Sequence, residues 1–399
     1  MSSRDTLYLV PALEARACDG AFELTKKFLD GVCEYVKRWD GPVVVLLGET
    51  RVPSTNLDTV HVAPADVPFG LAWRPQDDAA LVERLADARL VLATLVDRNT
   101  RVAQLCAAIS VPVVYITEYS FRTRCQIIRA ETVNPVLRWR RQRWTKLLER
   151  RYQRAVRLAE GVQCNGTPTF NAYRSINPRP MLYFDSRVRR EMLACPKQLE
   201  HRTAELMAGG PLRLVFSGRM VPMKGVDHLP LVAAELDRLG VPFVMDICGA
   251  GPQADRIAAK VRSLNLTERV QLHGVLEFES ELLPYVSRNA DLFICCHRQG
   301  DPSCTYLETM ACGVPMIGYD NEALRGIVET SGVGWITPLD KPKQLAQKIA
   351  QLNRDRASLA DAATAAVAFA SRHTLEPTMD ARVEHLEQCS QRLVTGAAA

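Results

Sequence analysis

Residues 291–321, DLFICCHRQGDPSCTYLETMACGVPMIGYDN, constrain the fold of this chain more than any other stretch. Residues 291–296 form a short apolar run of the kind a fully buried parallel strand shows. Gly300 and Pro302 break the chain, residues 305–312 resume as helix, Gly313 stops that helix, and residues 315–319 supply a second buried strand. A strand, a polar loop, a helix and a strand make a βαβ unit, in which ligands bind outside the carboxyl ends of the strands. The loop is therefore the expected ligand site. The N–H groups of Ser303, Cys304 and Thr305 at the helix start carry partial positive charge and suit the phosphates of a nucleotide. Glu308, one turn further in, is placed to accept hydrogen bonds from ribose hydroxyls, although a glutamate in a first helical turn also serves the helix dipole.

The alternation extends along the chain. Strands are expected at residues 6–10, 42–48, 90–94, 112–117 and 161–164, and again at 212–217, 242–248, 270–274 and 334–338. Helical patterns lie between them, including one that runs through Phe22, Leu24, Phe28, Leu29, Val32, Tyr35 and Val36. Such alternation implies α/β architecture with parallel, doubly wound sheets. At 399 residues the chain is long enough for two such domains. No apolar run is long enough to cross a bilayer and the N-terminus has no secretory h-region, so a cytoplasmic location is expected. Twelve cysteines without a C-x-x-C pair read as reduced, buried thiols rather than metal ligands or bridges.

A second cluster follows the 212–217 strand, in GRMVPMKG. Gly218 allows close backbone approach, Arg219 can fork onto a diphosphate, and Lys224 adds a point charge near the next helix. After the 242–248 strand, Gly249-Ala250-Gly251-Pro252 fits a dinucleotide fingerprint. That signal is weak, because residues 270–274 end in Gly274 rather than an acid.

The L-E-T-M-A-C-G-V-P run from Leu307 to Pro315 and the G-R-x4-K-G run from Gly218 to Gly225 together resemble the retaining GT-B glycosyltransferases of family four, the glycosyl transferases group 1. The family pattern is E-x7-E followed by A-M-A-x-G-x-P, and here the first glutamate is absent. The position eight residues before Glu308 is Gly300, with Asp301 one place on. Where many relatives place a histidine facing the reacting sugar, this chain has Glu118, which is also readable as a solvated loop acid. The resemblance implies a GT-B fold, two facing Rossmann-like domains with a cleft between them. It divides the chain into an acceptor-binding domain (1–178), a linker (179–210), a nucleotide-sugar-binding domain (211–374) and a C-terminal helix crossing back (375–399). It further implies a retaining, metal-independent hexosyltransferase with no cofactor beyond its co-substrate, a nucleotide-diphosphate sugar. The sugar would pass to a glycan or polyprenyl-linked acceptor in polysaccharide or glycoconjugate biosynthesis. Arg219, Lys224, Glu118 and Asp301 are the expected catalytic groups, and Gly218, Gly249, Gly251, Ser303, Cys304, Thr305 and Glu308 the expected donor-binding ones. With two family residues replaced, a non-catalytic nucleotide-sugar-binding protein is the alternative, and a nicotinamide-dependent Rossmann enzyme a more distant one.

Net charge is only +5, but it is unevenly placed. Residues 138–157, RWRRQRWTKLLERRYQRAVR, set Arg140, Arg141, Arg143, Lys146, Arg150 and Arg151 among Trp139, Trp144 and Leu147, with Glu149 the single acid. On a helix this is the pattern of a segment lying on an anionic membrane surface; a plain solvated helix is the competing reading, and no nucleic-acid motif accompanies it.

Overall fold

The computed structural model describes residues 5–18, 20–54 and 59–391. Among these, two sheets form the centres of two lobes. The first contains β1 (Thr6–Val10), β2 (Glu14–Cys18), β3 (Ala21–Thr25), β4 (Val43–Glu49), β5 (Thr59–Val62), β6 (Gly70–Trp73), β7 (Ala88–Thr94), β8 (Val113–Thr117), β9 (Gly161–Asn165) and β10 (Pro180–Tyr183). Their order is β10-β9-β8-β7-β1-β4-β2-β3-β5, with β6 also paired to β4. The second contains β11 (Leu212–Ser217), β12 (Phe243–Cys248), β13 (Val270–Gly274), β14 (Leu292–Cys295), β15 (Met316–Tyr319) and β16 (Trp335–Thr337), in the order β13-β12-β11-β14-β15-β16 and parallel throughout.

Period-2 alternation explains how one strand serves two cores. In β1, Tyr8 and Val10 join the cluster on one face of the sheet while Leu7 and Leu9 join the cluster on the other. The second face is completed from far along the chain. The helix Leu375–Ser390 returns to the first lobe and contributes Met379, Val383, Leu386 and Cys389 to its core. This is the crossing-back helix expected for residues 375–399, of which 392–399 lie outside the described residues.

Two expectations are corrected. Phe22 and Leu24 are not helical: they lie on β3, which pairs antiparallel with β2 and β5 beside a turn at Gly20 with φ of +83°. The helix begins only at Lys26 (Lys26–Val36), capped by Thr25, whose hydroxyl accepts from the Phe28 N–H at 3.2 Å. Near-helical spacing was misleading because Phe22 and Leu24, two apart, suit a strand equally well; Phe22 packs on Trp73 with ring centroids 4.5 Å apart. The expected linker, 179–210, is also shorter than its composition suggests. Pro180–Tyr183 is the edge strand of the first sheet, parallel to β9, and the helix Pro196–Ala208 is docked on the second lobe, where the Arg202 guanidinium donates to the Cys312 carbonyl at 2.6 Å. The crossing between lobes is confined to residues 184–195, and even there Phe184 and Val188 are buried in the second-lobe core.

No described helix is long and apolar enough to cross a membrane.

Candidate active site

The carboxyl ends of β8, β11 and β14 open into the space between the lobes. The chain leaving β11 passes Gly218 and Arg219, enters a short helical turn, Pro222–Lys224, and reverses at Gly225 with φ of +63°. A Cβ at Gly225 would stand 2.0 Å from the Cys296 carbonyl oxygen, so only glycine lets this turn press against the end of β14. That approach buries Lys224 to 6% exposure and directs its ammonium into the 299–305 loop, where Nζ donates to Asp301 Oδ2 at 2.9 Å and Ser303 Oγ at 3.3 Å. Two sequence-predicted residues, Lys224 and Asp301, therefore meet directly.

Glu308 sits in the helix Thr305–Ala311, buried to 6%, and accepts from Arg187 Nε at 2.7 Å. Arg187 belongs to the crossing segment, and its guanidinium carbon lies 3.5 Å from the centre of the Phe278 ring. Cys304 Sγ donates to Asp185 Oδ2 at 3.1 Å, and Lys27 Nζ of the first lobe donates to the same carboxylate oxygen at 3.1 Å. Burial pushes the Asp185 carboxyl up, but Lys27 and the Cys304 hydrogen bond outweigh it, and the group titrates below its ordinary value. Of the three amides expected to be free at the helix start, that of Ser303 is engaged by the Asp301 carbonyl at 2.8 Å, which corrects the expectation for that residue.

Glu118, just past β8, projects into the same cleft. Enclosure by the cleft walls, then the charges of Asp185 and Asp301, raise its carboxyl above the usual value, against the pull of Lys27 and Arg382. Tyr119 reports the same convergence: enclosure raises its hydroxyl, Asp301 and Glu118 raise it further, and Arg219 opposes them. Arg219 itself is exposed and makes no ion pair among the described residues. Gly249 and Gly251 lie beside this loop for a packing reason. Added Cβ atoms would stand 2.0 Å from the Gly218 carbonyl oxygen and 2.7 Å from that of Met220, so these glycines let the loop after β12 seat the loop after β11.

Gly300 stands where the family pattern has its first glutamate, and its surroundings are crowded. At Gly300, the backbone N–H donates to Gln126 Oε1 at 2.9 Å and the carbonyl accepts from Thr123 Oγ1 at 3.2 Å, both from the first-lobe helix Phe121–Glu131. A Cβ there would lie 3.1 Å from Thr123 Oγ1 and 3.1 Å from Glu322 Cβ. Thr123 of the first lobe and Glu322 of the second thus leave little room for a side chain at this position. Beside it, Ser120 Oγ donates to Glu322 Oε2 at 3.2 Å and Arg122 to Glu322 Oε1 at 3.3 Å, fastening the lobes together.

A cleft of about 530 Å³ runs between the lobes, with Leu9, Lys27, Glu118, Asp185, Arg187 and Arg382 among its walls. That volume is in the range of small-molecule sites. Asp185 and Arg187 were missed in the sequence because they fall in what reads as linker. The signal was present: in Phe184-Asp185-Ser186-Arg187-Val188 the apolar residues alternate with the charged ones, as in an extended segment with one face in a core and the other at a site.

Residues 197–368 match the family of glycosyl transferases group 1. The glycosyl transferases group 1 match covers β11 to β16 and their loops, and so includes Lys224, Asp301 and Glu308. Among curated proteins the chain is similar to the putative colanic acid biosynthesis glycosyltransferase WcaL of Salmonella typhimurium, 25% identical over 160 residues, 39% of each chain. The chain thus matches about two fifths of the length of that relative. Among solved structures it is similar to HepE of Anabaena in complex with UDP, with a TM-score of 0.67 at 16% identity over 96% of this chain and 99% of that one. It is likewise similar to the sucrose-phosphate synthase of Thermosynechococcus elongatus, with a TM-score of 0.64 at 16% identity over 99% and 100%. The fold is the GT-B architecture, two facing Rossmann-like lobes around a cleft.

The predicted membrane-facing residues lie on the helix Pro135–Leu158. Arg140, Arg141, Arg143, Lys146, Arg150 and Arg151 are all exposed, as are Trp139 (56%) and Trp144 (52%). Glu149, the one acid of the helix, is turned inward to an ion pair with Arg124, so the helix's own outer face is basic and apolar, with Arg151 at its edge paired to Asp97 at 3.2 Å.

Proposed function

We propose that this protein is a retaining, metal-independent hexosyltransferase that moves a sugar from a nucleotide-diphosphate sugar to a glycan or lipid-linked glycan acceptor. The observation that carries the reading is the buried Lys224 ammonium, held by Asp301 and Ser303 on the loop that leads into the Glu308 helix. A buried cation at the carboxyl ends of doubly wound strands, with a carboxylate one turn down the adjoining helix, suits a nucleoside diphosphate: charge on the phosphates, hydrogen-bond acceptors on the ribose. In this reading Lys224 and Arg219 stabilise the diphosphate as it leaves, aided by the N–H groups of Cys304 and Thr305. Asp301, released from Lys224 by the incoming phosphate, accepts from a sugar hydroxyl, and Glu118 stabilises positive charge at the anomeric carbon from the opposite lobe. The bond from anomeric carbon to phosphate oxygen breaks, the bond to the acceptor oxygen forms on the same face, and the acceptor proton passes to the departing phosphate. The two cations supply the charge for which a divalent ion would otherwise be recruited.

The test is turnover of UDP-, GDP- and ADP-sugars with and without EDTA. Lys224→Ala should lower kcat/KM by roughly 10²- to 10³-fold, the scale of a lost transition-state donor. Near-normal turnover in that variant would overturn the assignment, and nucleotide binding without any turnover in the parent protein would mark it as a binding protein.

The exposed basic and aromatic face of the helix Pro135–Leu158 supports a further element of the proposal, that the acceptor is met at an anionic membrane surface. Arg143 lies 4.9 Å from the Trp139 ring centre and Arg151 5.4 Å from that of Trp144, the pairing of cation and amphipathic ring that suits a headgroup layer.

A further inference from the structure

Arg187 is placed as a substitute ligand. Its flat guanidinium covers the face of Phe278 at 3.5 Å, and its Nε donates to Glu308 Oε1 at 2.7 Å. A planar group on an aromatic ring, with hydrogen-bond donors turned to a neighbouring carboxylate, is also what a nucleoside offers: base on ring, ribose hydroxyls on carboxylate. Phe278 and Glu308 are both buried, and Arg187 is the side chain that bonds the Glu308 carboxylate.

The backbone around Arg187 is fixed. Val188 is 1% exposed in the second-lobe core, its N–H donates to Ser186 Oγ at 3.1 Å, and its carbonyl accepts from the Leu375 N–H at 2.7 Å. The Arg187 side chain, by contrast, is 44% exposed and can swing toward the 530 Å³ cleft it borders without any movement of the lobes. Solvent reaches the Arg187 side of this pair, while the Glu308 carboxylate is buried, so an entering ligand must replace the arginine's hydrogen bond with its own, as ribose hydroxyls would.

We infer that Phe278 and Glu308 together form the nucleoside subsite of the donor, and that Arg187 occupies it in the free protein and is displaced when the donor enters. This rests on the donor-binding reading above and adds two residues to it, Phe278 as the base platform and Arg187 as the resident competitor. Arg187 then sets donor affinity in the opposite sense to a phosphate-binding arginine.

That difference in sign is the test. UDP, with GDP and ADP in parallel, is titrated calorimetrically into the full-length protein and into Arg187→Ala, with uridine and inorganic pyrophosphate as partial probes. Displacement predicts that Arg187→Ala binds the preferred diphosphate roughly 5- to 30-fold more tightly, the size of a half-exposed ion pair plus a cation–aromatic stack. The gain should appear with the nucleoside and be absent with pyrophosphate. Arg187→Lys, which keeps the charge but has no flat face, should fall between. Phe278→Leu placed in Arg187→Ala should reverse most of the gain, and a thermal scan of each variant confirms folding. Unchanged or weaker diphosphate binding in a folded Arg187→Ala, or weaker pyrophosphate binding, overturns the inference while leaving the donor site intact. Absence of nucleotide binding in both parent and variant would sink the donor-binding reading and this one with it.

Discussion

Asp185 and Glu118 face the same cleft and titrate in opposite directions, which makes their effects on stability separable. Lys27 holds the folded Asp185 carboxyl below its ordinary value of 3.8, so the group adds stability above that pH and loses it as pH falls through the lower folded value. Enclosure holds the folded Glu118 carboxyl above its ordinary value of 4.5, so the unfolded chain gives up that proton first, and stability declines as pH rises from 4.5 through the folded value. Glu118→Gln should therefore melt at a higher temperature than the parent at neutral pH, with the gap closing below pH 4.5. Asp185→Asn should melt lower at neutral pH and converge on the parent only in stronger acid. Melting curves across pH check both, and identical shifts for the two variants would contradict the assignment. At this scale the sequence was legible where spacing is local. The Lys224 to Gly225 step and the helix bearing Glu308 could be read directly, because a turn and the helix beside it lie within a few residues. Asp185 and Lys27 could not, because they meet only when the two lobes do, and neither could Arg187, whose partner Glu308 lies 121 residues along the chain.

Elements that bury both faces of a parallel sheet announce themselves by continuous apolar runs, and β11, β12 and β14 could be placed within a residue or two. The β2–β3 hairpin could not, because its short strands carry charges, Arg16 to Glu23 at 2.5 Å among them, and take their apolar contacts from residues far along the chain. The glycine at position 300 was visible, whereas the helix Phe121–Glu131 lying against its backbone was not. The helix Pro135–Leu158 presents its charges as the sequence suggested, and the inward turn of Glu149 sharpens the expectation for that element. Each arginine near an anionic surface is worth about 1 kcal/mol, so Arg140→Ala with Arg143→Ala should weaken binding to vesicles containing phosphatidylglycerol by roughly 30-fold. Trp139→Ala with Trp144→Ala should weaken it further. Sedimentation with the vesicles measures this, and binding that is equal on neutral phosphatidylcholine vesicles would argue against an anionic surface.

For the whole molecule, doubly wound sheets followed from the repeated alternation and the two facing lobes with their cleft from the family resemblance, but the mutual fastening of the lobes followed from neither. Ser120, Thr123 and Gln126 on one side meet Gly300 and Glu322 on the other, and the last helix closes the core of the first lobe. Leu386, fully buried there, is the test of that closure. Leu386→Ala should cost about 2–5 kcal/mol, read as a lower urea midpoint, and an unchanged midpoint would show that the helix only rests on the surface. The return of this helix has a consequence for biosynthesis. The first lobe is made before the second on the ribosome, yet its hydrophobic interior lacks Met379, Val383, Leu386 and Cys389 until the chain has been translated past residue 389. A premature stop codon near residue 374 would therefore leave the Lys224 and Asp301 loops of the second lobe encoded in full and cripple the opposite end of the protein.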